Sequence, residues 1–479
     1  MGCNDHSVLS IALKETQIES IIKTMSSRSF FHLSAIGADN VQWGVNNCFV
    51  FKTKLEESGL RASLAELVDS YYPAFNGRIV KETSSGRYAL VENGAGHHFE
   101  YSVESNEPVA VEIRANPRLL ATSTRFRQYF PAARPGFGLG HPLLLVKVTY
   151  FERSDLSVLT TTISHAVADA STAHSFFHHW DLVMRGQHGK IMLRPCFRHP
   201  RQDLFSRKEL ITRFESDVSK AVDLSAQVSE RIKELQPSHD LQRLFLDGSK
   251  LAGLKNQLNS LLSPEWVSTS EMIFAIVAVV ILKARQPGAL SREEPVLMQT
   301  IVNIRGRTRL FPDDSFAGNG FCKPLVAVPA LNLEATNAET ELMASLTKMC
   351  RAMHEGMRTI VQDTDRLEDE YLANELMYIR PDLNVLGLRE SYLRLIQNLG
   401  IFANSWVHRD WFDITLGSSV TPVFMTSTPL YDDDDIKTPR FTQIIPNSPA
   451  GDMELVTILT HSENHALTTT LQTLGVLCT

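Results

Sequence analysis

The sequence predicts a mixed α/β protein in two domains, and three observations carry that expectation. The chain has 479 residues, well past the size at which a single hydrophobic core stops growing. Apolar residues make up 43% and charged residues 21%, ordinary globular usage that excludes disordered, fibrous and low-complexity classes. Strand-like runs rich in β-branched residues recur along the chain with segments of helical period among them.

The elements follow in order. Near the start, Asp5 and Glu15 stand among short apolar stretches, without the basic-then-apolar pattern of a secretory signal. Met1-Gly2-Cys3 resembles a myristoylation start, but His6 occupies the place that wants Ser or Thr. The runs Leu143 to Phe151 and Ser157 to Ile163 flank the polar Glu152-Arg153-Ser154-Asp155, the signature of a hairpin. His165 therefore follows a strand end. From Ala170 to Met184, Ala173, Phe176, Phe177, Trp180 and Met184 recur at helical spacing, and Gly186 closes the helix.

Beyond Pro195 the composition turns to charged, helix-forming sequence, over Arg207 to Leu235 and Leu241 to Leu262 with a break at Pro237. The domain junction is placed near 195 to 205, giving domains 1–200 and 201–479. Ser268-Thr269-Ser270-Glu271 supplies N-capping chemistry for the next helix, and Pro287-Gly288 ends it. Its apolar run, Met272 to Leu282, has eleven residues where a membrane span needs about 20, so it reads as a buried core helix. Strands are expected at Val296 to Ile304, Val420 to Thr426 and Leu455 to Thr460, with a helix over Glu339 to Val361.

Charge and cysteine content narrow the partners. A net charge of -7 with no basic tract argues against nucleic acid or an anionic membrane as the main partner. The six cysteines, Cys3, Cys48, Cys196, Cys322, Cys350 and Cys478, form no C-x-x-C pair, which suggests neither a disulfide framework nor structural zinc and fits a reducing, cytoplasmic setting. Asp432-Asp433-Asp434-Asp435 reads as a solvated loop. His174, His178 and His179 share a helical stretch, but no Glu follows in the H-E-x-x-H manner, so solvent-facing histidines are the simpler account and no metal is expected. A G-x-S-x-G elbow, a P-loop and a dinucleotide fingerprint are all missing.

The chemistry centres on Ser164-His165-Ala166-Val167-Ala168-Asp169. An alcohol is a poor nucleophile while it keeps its proton. A neutral imidazole can take that proton near pH 7, a service that contributes roughly 10² to 10⁴-fold. Asp169 either orients the imidazole or points away and ties the turn to an arginine; spacing leaves both open.

Further segments give the His-x-x-x-Asp pattern a context. Ser70-Tyr71-Tyr72-Pro73-Ala74-Phe75-Asn76-Gly77-Arg78, Ser268-Thr269-Ser270-Glu271, Val302-Asn303-Ile304-Arg305-Gly306-Arg307 with Phe316-Ala317-Gly318-Asn319, and Asn404-Ser405-Trp406 occur in that order. Together with His165 and Asp169 they resemble the BAHD acyltransferases, plant and fungal enzymes that move acyl groups from coenzyme A. The family's second signature, Asp-Phe-Gly-Trp-Gly, is here Asp413-Ile414-Thr415-Leu416-Gly417, a divergence closer to the fungal trichothecene acetyltransferase type than to plant members.

The resemblance implies two chloramphenicol-acetyltransferase-like domains with the active site at their interface. It implies a monomer that binds no cofactor, uses acyl-CoA as co-substrate and takes a small-molecule acceptor. By position it places Asn404 and Ser405 near the thioester carbonyl, where a donor aimed at the oxyanion is worth roughly 3 kcal/mol. Trp406 would line the tunnel or serve as plain core. Asp413 would pair structurally with Arg305, and Gly417 would close that segment. The expected reaction is transfer of a short acyl group to a hydroxyl or amine of a specialised metabolite, with His165 as general base. A second expectation keeps the fold and His165 for cyclisation or condensation without acyl-CoA, and a third is a non-catalytic binding module.

Overall fold

The computed structural model describes residues 30–478 except 83–84, 106, 132–140, 199–210, 217, 221–224, 285–294, 329–338, 386–394, 396–399, 408–409 and 428–437. The stretch from Met1 to Glu15 read for a leader or lipidation, Pro287-Gly288 and the run Asp432 to Asp435 lie outside the described residues.

Two mixed sheets organise the chain. The first runs Phe424–Thr426, Gly44–Phe51, Leu156–Ser164, Leu144–Phe151, His98–Glu104. Its centre is the expected hairpin, Leu144–Phe151 against Leu156–Ser164, with Leu144 opposite Ile163 and Phe151 opposite Leu156. The turn between them holds Asp155 at φ 43°, a left-handed position that Asp tolerates. The second sheet runs Leu325–Val328, Val296–Thr300, Ile401–Ser405, Phe441–Pro446, Met453–Thr460, His239–Leu246. Because Phe424–Thr426 pairs with Gly44–Phe51 in the first sheet, a cut at residue 200 does not separate the sheets.

Several helices form as their spacing requires. Ala170–Met184 buries Ala173, Phe176, Phe177 and Trp180, the face its period predicts. Thr269–Ala284 is buried from Met272 to Ile281, a core helix rather than a membrane span. It opens on a reciprocal cap: Glu271 N–H donates to Ser268 Oγ, and Ser268 N–H to the Glu271 carboxylate. Glu339–Gln362 matches its expected span within a residue. No described helix is long and apolar enough to cross a membrane.

Four expectations change. Leu241 to Leu262 is not one helix: His239–Leu246 is a strand, and the helix is Gly248–Leu262. Leu244 and Leu246 bury along the strand while all eight residues pair with Met453–Thr460, so tertiary pairing overrides helix propensity. Asp247 then caps the helix, accepting from the N–H groups of Ser249 and Lys250 at 3.0 and 3.1 Å. The strand Val218–Lys220 likewise interrupts Arg207 to Leu235, leaving a helix over Ser225–Leu235. Val296 to Ile304 breaks at Ile301 into two short strands, and only Phe424–Thr426 of the run from Val420 is extended pairing.

The core of the first sheet draws on both halves of the chain: Phe49, Ile163, Phe177 and Trp180 cluster with Trp406, Trp411, Leu416, Ile445 and Val456. The turn after Ser70 closes tightly, for a Cβ at Gly77 would stand 2.5 Å from the Val91 carbonyl oxygen and 3.0 Å from that of Ala74. Gly77→Ala is therefore expected to cost about 1–3 kcal/mol, read as a lower urea midpoint at unchanged m-value.

Candidate active site

His165 follows the last residue of Leu156–Ser164 and is half-buried. Its backbone is held from two sides. The His165 N–H donates to the Trp43 carbonyl at 2.8 Å. The Asn319 side-chain amide donates to the carbonyls of His165 at 2.8 Å and Ala166 at 3.2 Å. A third constraint is steric: a Cβ on Gly37 would lie 2.6 Å from the Ala166 oxygen, so the helix Ala35–Asp39 packs there only through glycine.

Burial pushes the His165 imidazole below the ordinary histidine value, with its own backbone carbonyl and Asp169 pulling the other way and Lys323 adding to the depression. Nδ1 is buried without a partner from another residue. The Phe321 ring stands 6.3 Å away, centroid to centroid.

Asp169 takes the second of the two roles that spacing left open. As N-cap of Ala170–Met184, its Oδ1 accepts from the Thr172 N–H at 2.9 Å. Its Oδ2 accepts from the Gly320 N–H at 3.1 Å and from Arg305 Nη1 at 2.8 Å. Both carboxylate oxygens of Asp169 thus hold the helix start and the turn at Gly320. The Arg305 guanidinium is buried and also donates to the carbonyls of Phe316, Gly318 and Gly320. At Gly320 a Cβ would stand 2.6 Å from that guanidinium carbon.

This corrects the expected pairing of Arg305 with Asp413. Asp413 is exposed in the short turn Trp411–Asp413, and its segment docks at the far end of the helix from Asp169. There, buried Asp181 accepts from the N–H and hydroxyl of Thr415 at 3.1 and 2.8 Å and pairs with Arg185. The 12 residues separating Asp169 from Asp181 in the sequence put the two carboxylates about 18 Å apart along the helix. Gly417, at φ 72°, leaves room for Met184, which a Cβ would approach to 2.9 Å.

The remaining candidates lie on or just after Ile401–Ser405, a strand between Val296–Thr300 and Phe441–Pro446. Ser405 Oγ shares a 2.7 Å hydrogen bond with Ser270 Oγ. Asn404 is half-buried. Trp406 is buried and stacks on Trp411 at 5.5 Å, and Trp411 edges onto His174 at 5.0 Å and reaches Phe49 at 6.2 Å. That makes Trp406 core at least in part. Of the three histidines expected in solvent, only His178 is exposed. His179 bonds the Tyr72 hydroxyl at 2.9 Å, and burial pushes it down to about 4. Among the described residues no three metal-ligating side chains converge.

A family model described as the Transferase family matches residues 14–381. The chain belongs to the Transferase family. Within it, the chain is 25% identical over 254 residues to limonoid 21-O-acetyltransferase of Melia azedarach, a match over 53% of this chain and 52% of that protein. The chain spans about half the length of the curated relatives it matches. Its fold is similar to F. sporotrichioides TRI101 in complex with coenzyme A and T-2, with TM-score 0.62 and 12% identity over 94% of this chain and 99% of that one. It is also similar to vinorine synthase, with TM-score 0.60 and 14% identity over 95% and 94%.

Sequence reasoning had not assigned Asn319, Gly37, Asp181 or Trp411 these positions. Asn319 lay within a quoted turn, and Asp181 stands four residues before Arg185, a visible helical ion-pair spacing. Trp411 carried no signal.

Asp169→Asn leaves the Arg305 charge buried with neutral acceptors alone. The variant is expected to lose about 3 kcal/mol of unfolding free energy in urea.

Proposed function

We propose that this member of the Transferase family is an acyl-CoA-dependent acyltransferase that moves a short acyl group, acetyl foremost, to a hydroxyl or amine of a specialised metabolite. The observation that carries this reading is His165: its backbone is fixed at a strand end by Trp43 and Asn319, while Asp169 is spent on Arg305 and the helix cap. The imidazole is left to act as a base. Support for the donor comes from the coenzyme A held by the similar TRI101 structure, and support for an oxygen acceptor from the name of the limonoid relative.

In this mechanism Nδ1 keeps its proton beside the His165 carbonyl, and Nε2 accepts the acceptor's O–H or N–H proton. The acceptor atom bonds to the thioester carbonyl carbon. Collapse of the tetrahedral intermediate breaks the C–S bond, and His165 returns the proton to the departing coenzyme A sulfur. Asn404 and Ser405 are assigned to the developing oxyanion, and Trp406 to the tunnel wall. Lysine and carboxylate neighbours make no covalent step.

We assign the chain two chloramphenicol-acetyltransferase-like domains, 1–200 and 201–479, with Phe424–Thr426 crossing into the first sheet and the site between them. The reading further takes the protein as a cytoplasmic monomer whose partners are acyl-CoA and the acceptor, without nucleic acid, membrane or metal. The divergent Asp413 to Gly417 segment supports placing it nearer the trichothecene acetyltransferase type.

The test is thiol release from acetyl-CoA and longer acyl-CoAs with a panel of hydroxylated natural products. His165→Ala is expected to lower acceptor-dependent release by about 10² or more. Absence of release with every donor and acceptor, and of coenzyme A binding, sinks the proposal. Because the base must be neutral and burial lowers its pKa, kcat/KM should hold as pH falls past the ordinary histidine value of about 6.5 and decline only below it. An acid limb at or above that value contradicts the assignment.

A further inference from the structure

The turn that fixes the His165 backbone leads on to a lysine whose ammonium is unpaired. Beyond Asn319 and Gly320 the chain runs through the short strand Phe321–Cys322, paired with Val302–Asn303, to Lys323. The backbone there is held on both sides. The Lys323 N–H donates to the Glu370 carboxylate at 2.9 Å, and the Pro324 carbonyl accepts from the Thr300 N–H at 3.1 Å. A mount of this kind fixes where the side chain starts.

The ammonium itself is not tied down. The Lys323 side chain is half-buried, and among the described residues its Nζ has neither an ion pair nor a hydrogen bond and is not sealed from solvent. It stands 5.9 Å from the centre of the Phe321 ring. Asp39 and Glu370 act on it only from a distance, and burial pushes Glu370 up to about 7. Burial lowers the Lys323 ammonium against the pull of those two carboxylates. A lysine at such depth ordinarily has a partner. Here a cation stands in a partly open wall with no counter-ion in contact.

The same ring locates the base. Phe321 lies 6.3 Å from the His165 imidazole, centre to centre, so imidazole and ammonium are at most about 12 Å apart. Lys323 is also among the groups that lower His165. With hydrogen bonds of about 2.8 Å at each end, no more than roughly 6 Å separates an oxygen at His165 from an anionic oxygen at Lys323.

We propose that Lys323 is a specificity-determining residue that binds a carboxylate of the substrate while the reacting oxygen sits at His165. The carboxylate belongs either to the acceptor, which is then a hydroxy acid, or to the acyl group, which is then the half-thioester of a short dicarboxylic acid. In both, a charge-assisted hydrogen bond in a partly water-excluded wall supplies the counter-ion that the chain does not. This rests on the acyl-transfer reading for what happens at His165, but not for the binding itself.

Two pairs of probes separate the sources. For the acceptor, trans-4-hydroxycyclohexanecarboxylate is compared with its methyl ester; for the acyl group, malonyl-CoA is compared with acetyl-CoA. Calorimetric titration of the full chain is expected to show one carboxylate probe binding about ten-fold more tightly than its counterpart, with the ratio shrinking as salt is raised. Lys323→Met and Lys323→Gln, which remove the charge with an apolar and a polar tip, should each bring that ratio to about one. A ratio near one for both pairs in the wild-type chain overturns the proposal whatever the variants do, as does a preference that survives either substitution. Thiol release without a carboxylate preference sinks this inference alone. A carboxylate preference in a protein that releases no thiol with any donor would instead retire the acyl-transfer reading and leave the Lys323 assignment standing.

Discussion

The buried pair of Asp169 and Arg305 is the constraint on which the site depends. Both charges are taken out of water, with side chains 7% and 2% exposed, and such a pair holds only when the remaining hydrogen-bonding capacity of each ion is met. Here it is met. Asp169 accepts from Thr172, Gly320 and Arg305, and Arg305 donates to three backbone carbonyls besides. Those carbonyls belong to the turn that also carries Asn319. The same turn is therefore fixed by the ion pair and delivers the amide that holds the His165 and Ala166 carbonyls. His165 is placed by backbone contacts at its own residue, while the aspartate four residues on places the loop that makes one of them.

The helix Ala170–Met184 works as a spacer with a carboxylate clamp at each end. At its start Asp169 faces the exposed N–H groups and the positive end of the helix dipole, a favourable site for an anion. At its end Asp181 sits where the dipole disfavours negative charge. Arg185 and the two Thr415 donors offset that. One clamp grips the turn at Gly318 to Gly320 and the other the segment at Thr415 to Gly417, so two distant stretches of the later half are registered on one rigid element. This explains how the segment Asp413 to Gly417 keeps only its terminal residues in common with the familiar signature and still docks: the grip comes from Thr415 backbone and hydroxyl, and from the glycine that admits Met184.

Local patterns were legible where local chemistry decides the structure. The hairpin before His165, the helix after Asp169, the cap at Ser268 and the all-apolar Thr269–Ala284 follow from period, capping residues and length. What escaped depends on pairing at long range. His239–Leu246 reads as helix until Met453–Thr460 lies beside it, and Phe424–Thr426 joins a sheet whose other strands lie 260 residues earlier in the chain or more. The site divides the same way. His165 and Arg305 were visible as residues, but the partner of Arg305 was misassigned, because Asp169 and Asp413 are equally plausible carboxylates until the helix length separates them. Trp411 offered no pattern, since a large aromatic buries well anywhere.

The fold itself is shared with proteins at 12% and 14% identity, so it cannot carry substrate choice. Choice has to reside in side chains that the shared architecture does not require. The ion pair, the Asn319 turn and the glycines at 37 and 320 all serve the placing of backbone.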